Sequence, residues 1–232
     1  MQPTPTFRKL ESSRQEAILD AAASVFAERG YHGANIPVIC ERARVSTGAL
    51  YKYFRNKEAL FRAVLDRGVD IIQAFYDGIA PGEIFATIAR VLEAIVPLAD
   101  SHRPYLILYI DIGGYSLNTF ADYISERFEG VGQDFFHRLV EAAKARGEVD
   151  ARIASDHAAY LIDSYVILFA YSLVSEHYRR RSERFLQHGH ALPGTGKRSD
   201  LVMHAPRLPR TRNRWRIAFA VKAPQGILQG RP

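Results

Sequence analysis

The segment Val45–Phe61, VSTGALYKYFRNKEALF, decides the fold. Ser46 presents a side-chain oxygen at the start of a short helix over Thr47–Tyr53. Asn56 offers a second cap, for a helix whose apolar positions Leu60, Phe61, Val64 and Leu65 recur at helical spacing and run on to near Ile79. Upstream, Asn35 can cap a helix over Ile36–Ala43 with Pro37 in its first turn, where a missing N–H costs nothing. Arg44-Val45-Ser46 is then the tight link between two short helices. In such a pair the first helix braces the second, and the second is slim enough to enter a DNA major groove.

The chemistry of the second helix suits that task. Thr47 and Tyr53 carry hydroxyls, Gly48 allows close backbone approach, and Lys52 reaches a phosphate or a guanine edge. Lys57, in the first turn of the next helix, adds a cation where free N–H groups already favour phosphate. Tyr51 and Tyr53 stand two residues apart and cannot share one helix face, so one packs and the other reaches out. Arg8 and Lys9 are placed to act as a backbone-contacting arm. Before the pair, Ser13-Arg14-Gln15-Glu16 has the form of a capping box, Ile18, Ala22, Val25 and Phe26 follow at helical spacing, and Gly30 is the expected stop.

The stretch AILDAAASVFAERGYHGANIPVICERARVSTGALYKYFRNKEALFRAVLD, residues 17–66, resembles the DNA-binding domain of TetR/AcrR-type regulators. The pieces that carry the resemblance are Ala17–Tyr31, Ile39–Ala43, Val45–Phe54 and Asn56–Phe61, four linked elements at the family's spacing. The resemblance implies that Thr47, Gly48, Ala49, Tyr51, Lys52 and Tyr53 face DNA, that Lys57 meets a phosphate, and that Leu50 and Phe54 anchor the recognition helix. Arg44 stands where the family often has glycine. A positive φ there would cost a side-chain-bearing residue roughly 1 kcal/mol or more. Cys40 replaces a usual small alanine and reads as a core residue.

Beyond Pro81-Gly82 the pattern stays helical. Ile84, Ile88, Val91, Leu92 and Ile95 line one face of a helix expected to end near Pro97. Pro104 opens a helix that Gly113-Gly114 stops. Asn118 can cap a long helix through Phe128, Phe135 and Leu139 that ends at Gly147. A last helix, Ser155 to Arg179, is apolar nearly all round, which marks it as central to a bundle or to a subunit seam. Its segment Ala158–Val174 carries Asp163, Ser164 and Ser172, so a buried helix is expected there and not a membrane span. The expected fold is all-α: an N-terminal three-helix helix-turn-helix domain with its arm (1–60), a helical-bundle effector-binding and dimerisation domain (61–186), and a tail (187–232).

Charge is unevenly distributed. Residues 1–57 carry a net +4, residues 58–186 a net −6, and residues 187–232 a net +8, so the overall +6 comes from the tail. A basic head on an acidic body suits a protein that meets phosphate with one end. The tail is rich in Pro and Gly and almost free of acids, and it stands where the family's last amphipathic helix is expected. A frame-shifted end, a basic extension in contact with DNA, and a terminus folded around Trp215–Val221 all fit that composition.

One cysteine excludes an intrachain disulfide, and with no apolar leader behind the first charges a cytoplasmic location is expected. Neither HExxH, nor a Walker loop, nor GxSxG occurs, and Gly130-x-Gly132 lies within a helix, so no catalytic residue, metal or cofactor is expected. The resemblance implies an effector pocket among the aromatic-rich helices. Tyr109, Asp111, Asp163, Tyr165 and His177 are its candidate polar lining, though Asp163 has a structural alternative at a dimer seam. Expected partners are a double-stranded DNA operator, a small-molecule effector and a second copy in a homodimer, with no membrane. The reading that follows is a repressor released by its effector; a helical adaptor that kept the fold is the alternative.

Overall fold

The computed structural model describes residues 3–112 and 120–186, and the tail with its three readings lies outside them, as do Gly113-Gly114 and Asn118. All the described elements are helices: α1 (Pro5–Arg8), α2 (Ser12–Gly33), α3 (Ile36–Ala43), α4 (Thr47–Tyr53), α5 (Lys57–Asp77), α6 (Ile84–Ser101), α7 (Arg103–Ile112), α8 (Ala121–Ala145), α9 (Ser155–Val174) and α10 (Glu176–Leu186).

Side-chain caps set the starts of α1, α4 and α5. Ser46 Oγ accepts from Ala49 N–H at 3.1 Å and Asn56 Oδ1 from Ala59 N–H at 2.8 Å, so both expected caps form. Gly30 breaks α2 with φ of 67°, a value glycine tolerates without strain. The capping box at Ser13 does not form. α1 feeds straight into α2, whose N-cap is Glu11. Gln15 Nε2 closes the junction by donating to the Leu10 carbonyl at 2.8 Å, while Glu16 turns to Arg67, 3.4 Å away. Asn35 occupies the N-cap of α3 without a side-chain bond. Pro97 lies inside α6, which continues to Ser101. It and Glu93, the residue four positions earlier whose carbonyl loses its partner, are both exposed, so water can take up the vacant acceptor. The single helix expected over Ser155–Arg179 is two, broken at Ser175, whose φ of −108° and ψ of 121° are extended.

Two apolar cores result. The first gathers Ile18, Val25 and Phe26 of α2, Ile39 of α3, Leu50 of α4 and Leu60, Phe61 and Val64 of α5; Tyr105 and Leu108 of α7 and Phe120 also enter it. Phe61 is its hub, with Phe26 at 4.8 Å and Tyr31 and Phe120 each at 4.9 Å between ring centroids. The second core joins Tyr76 of α5, Val91 and Ile95 of α6, Phe136, Leu139 and Val140 of α8 and Val166 and Phe169 of α9. The helix α5 contributes to both.

Arg44 sits at φ 53°, ψ 47°, the left-handed conformation expected of it. Its N–H and that of Val45 return to the carbonyls of Glu41 and Cys40 at 3.1 and 3.0 Å, which closes α3 and swings the chain into α4. Arg44→Gly should therefore raise the unfolding free energy by about 0.5 kcal/mol, the relief of left-handed strain exceeding the entropy a glycine adds to the unfolded chain. A denaturant melt with an unchanged or lower midpoint would contradict this.

Candidate functional site

The end of the molecule built from α3 and α4 exposes the predicted contacts. Thr47, Gly48 and Lys52 are exposed and Ala49 is half-exposed, while Leu50 and Phe54 are buried and hold the helix from behind. Tyr51 is the tyrosine that reaches out, 50% exposed; Tyr53 is half-buried with its ring 5.9 Å from that of Phe7. Arg42 and Glu28 pair at 2.6 and 3.0 Å and tie α3 to α2, though so exposed a pair adds little stability.

The N-terminal arm does something its charges did not suggest. Thr4 Oγ1 donates to the Lys52 carbonyl at 2.7 Å and Thr4 N–H to the Tyr53 carbonyl at 3.0 Å, so the arm caps the C-terminal end of α4. Phe7 is buried against Phe54 at 4.7 Å and locks the arm in place. Arg8 and Lys9 stay exposed beside it. A threonine donating to backbone nearly fifty residues away leaves no periodic trace in the sequence.

Lys57 also differs from the simple reading. Its ammonium donates to the carbonyls of His32 at 3.1 Å and Ala34 at 3.2 Å and lies 4.9 Å from the Tyr31 ring centroid. It fastens α5 to the end of α2, and these two bonds use two of its three ammonium hydrogens.

A cavity of about 790 Å³ lies between α5, α6, α7, α8 and α9. Of the five candidate polar residues Tyr109 and Asp163 line it; Asp111, Tyr165 and His177 do not. Helix phase explains two of these corrections. Tyr109 and Asp111, like Asp163 and Tyr165, are two residues apart and face opposite ways. Tyr165 is 48% exposed on the outer side of α9, and His177 lies on α10 beyond the break at Ser175. Phe75, Tyr76, His102 and Tyr105 complete the part of the lining that matters here. Tyr105 and Tyr109 are four apart, so one helical turn presents both rings; that spacing was the available signal.

Asp163 projects from α9 against α8. A Cβ on Gly132 would stand 2.6 Å from its Oδ1, so a larger residue there would require the Asp163 carboxylate to shift. Burial raises its pKa to about 6. The Tyr76 hydroxyl is pushed up as well, by burial first and then by Asp163 and Tyr109.

One short chain of bonds ties the cavity wall to α2 and α5. Tyr105, a cavity wall, donates its hydroxyl to Asp20 Oδ1 of α2 at 2.7 Å. Arg67 of α5 donates to the same oxygen at 3.0 Å. Burial and that bond to Asp20 hold the Tyr105 hydroxyl protonated, so it stays a donor.

The geometry is that of a helix-turn-helix joined to a helical bundle, and residues 18–64 match the family model described as bacterial regulatory proteins, tetR family. Beyond that segment, Mb3439c of Mycobacterium bovis, an HTH-type transcriptional regulator, is 31% identical over 164 residues, 68% of this chain and 77% of that protein. The chain belongs to the TetR family. RutR of Escherichia coli K12, also an HTH-type transcriptional regulator, is 42% identical over 74 residues, 30% of this chain and 35% of RutR. The chain thus matches about a third or less of the length of several curated relatives. The structure of the transcriptional regulator FadR of Bacillus subtilis, in complex with stearoyl-CoA, superposes with a TM-score of 0.60 at 20% identity, over 72% of this chain and 88% of that one. The TetR-type fold therefore extends through the bundle, although its sequence is not shared with FadR. These relatives are transcriptional regulators.

Proposed function

We propose that this TetR-family protein is a dimeric, cytoplasmic, non-enzymatic repressor that leaves a palindromic operator when a small molecule fills the cavity. The observation that carries the DNA reading is the exposed face of α4, with Thr47, Gly48, Tyr51 and Lys52 presented to solvent on a helix capped at both ends. Ala49 and the hydroxyl edge of Tyr53 flank that face, and the remaining hydrogen of Lys57 serves a phosphate. One helix of two turns reads few base pairs, so two copies on a symmetric site are the efficient arrangement. Residues 1–60 act as the DNA-binding part and 61–186 as the effector-binding and dimerising part.

The outer side of α9 supports the dimer. Tyr160 is 70% exposed, and Tyr165 and Leu168 are each 48% exposed. This is the one helix among the described residues long and apolar enough to cross a membrane, yet it carries Asp163 and packs on α8 and α10. The buried helix expected there has one face open, and a second copy of that face would cover it.

Effector response is attributed to Tyr105. A guest that displaces its ring pulls on Asp20 and so on α2, while α5 carries the same shift from the cavity to Lys57. Tyr105→Phe keeps the ring and removes the bond. With an effector found by screening for operator release, this variant should bind DNA normally but lose about five- to tenfold of the effector's influence on DNA affinity. Full retention of that influence would reject the route.

The overall reading is tested by a gel shift of the full chain on DNA flanking its own gene. A retarded complex with a two-fold symmetric footprint is expected. No preference over random DNA would favour a helical adaptor that keeps the fold without the operator.

A further inference from the structure

We infer that the cavity selects a lipophilic organic cation, a protonated amine or quaternary ammonium group seated against Asp163 with its apolar body among the aromatic walls. The inference rests on the reading of this cavity as the effector site. What decides the class of guest is the charge of the lining. No lysine or arginine lines the cavity among the described residues, whereas two carboxylates, Asp163 and Asp156, do. Asp156 stands at the exposed rim and is held 3.3 Å from His137. Asp163 lies within, and no cation is placed at ion-pair distance from it among the described residues.

A carboxylate in an apolar site without a counter-charge is costly, and elsewhere in proteins such groups are paired. Here the fold makes room for one: Gly132 is the position on α8 that lets the Asp163 oxygens stand where they do. The arginine of α7, Arg103, is engaged elsewhere and donates to the carbonyls of Leu173 and Val174 at 3.4 and 3.1 Å. The other polar groups on the lining, the hydroxyls of Tyr76, Tyr105, Tyr109, Tyr160 and Ser164, the Gln133 amide and the ring of His102, carry no fixed positive charge to balance a guest carboxylate. The rings of Phe75, Tyr76 and Tyr105 supply faces on which a cation is further stabilised. An anionic amphiphile entering the same space would meet Asp163 with nothing to offset it.

Calorimetric titration of the full chain, without DNA, with three amphiphiles of equal chain length tests this: decyltrimethylammonium, decanol and decanoate. The cation is expected to bind at least tenfold more tightly than decanol, and decanoate more weakly than either. Asp163→Asn, which keeps shape and removes charge, should reduce the cation's advantage over decanol to less than threefold. A readout on the unaltered protein guards against misfolding of that variant. Between pH 7.5 and pH 5 cation affinity should fall about tenfold as Asp163 protonates, with decanol unaffected. The titratable groups facing Asp163 or lining its cavity are Tyr76 of α5, Tyr105 and Tyr109 of α7, His102 before α7, Tyr160 of α9 and Asp156 of α9 with its partner His137 of α8. Any pH dependence left in Asp163→Asn arises from groups other than Asp163.

Equal or tighter binding of decanoate in the wild type, or a cation preference that survives Asp163→Asn, overturns the inference. The effector reading fails differently: decyltrimethylammonium would bind with the expected preference yet leave the operator complex intact in a gel shift.

Discussion

Lys52→Ala and Tyr51→Ala, made together, should weaken operator binding by about three orders of magnitude or more, since each lost contact costs about 1–3 kcal/mol and a symmetric dimer would lose both contacts twice. Both side chains stand on the exposed face of α4, and neither belongs to a core. The two variants separate by salt. Lys52→Ala alone should reduce the slope of log affinity against log salt by about one per protomer if its ammonium meets a phosphate, with the loss uniform across sequences. Tyr51→Ala should leave the slope and narrow the gap between operator and random DNA. Helicity should be unchanged, because α4 keeps Ser46 at its start and Thr4 at its end. Operator affinity within threefold of wild type, in a protein with a normal circular dichroism spectrum, would remove α4 from the interface.

The second large effect is on stability. Phe61→Ala deletes the ring on which Phe26, Tyr31 and Phe120 converge, in a site with no solvent access. A cavity of that kind costs about 3–5 kcal/mol. For a chain of this size that corresponds to a fall in melting temperature of about 10 °C. The loss should not be confined to the DNA-binding end, because Phe120 and α5 carry the same core toward the bundle. A melt in which the bundle unfolds unchanged while only the first core loosens would show that the two cores are energetically separate.

What could be read from sequence divides along a physical line. Ser46 and Asn56 were legible because a cap binds a backbone N–H three residues away, and nothing distant can alter that geometry. Leu50 and Phe54 as anchors, and the left-handed turn at Arg44, were legible through the family resemblance. Ser13 failed as a cap because α1 packs on α4 and enters α2 directly, a tertiary fact. Lys57 was placed on phosphate from its helix position, but the carbonyls it binds belong to the end of α2. Thr4 and the Tyr105–Asp20 bond link residues 48 and 85 positions apart, beyond any periodicity. In the cavity, the aromatic character of the walls was visible. Which of Tyr109 or Asp111, and of Asp163 or Tyr165, faces inward depended on helix phase relative to neighbours that no single helix encodes.

Tyr160 and Leu168 each belong to two surfaces at once: they line the cavity, and they form part of the uncovered face of α9. Whatever seals that face also narrows the doorway to the guest. With a second copy as the seal, a bound molecule would be trapped while the pair persists and freed when it parts. Its residence time would then lengthen with protein concentration, a mass-action linkage that stopped-flow dilution can measure. The number of molecules of this regulator in a cell would set how quickly it forgets a signal.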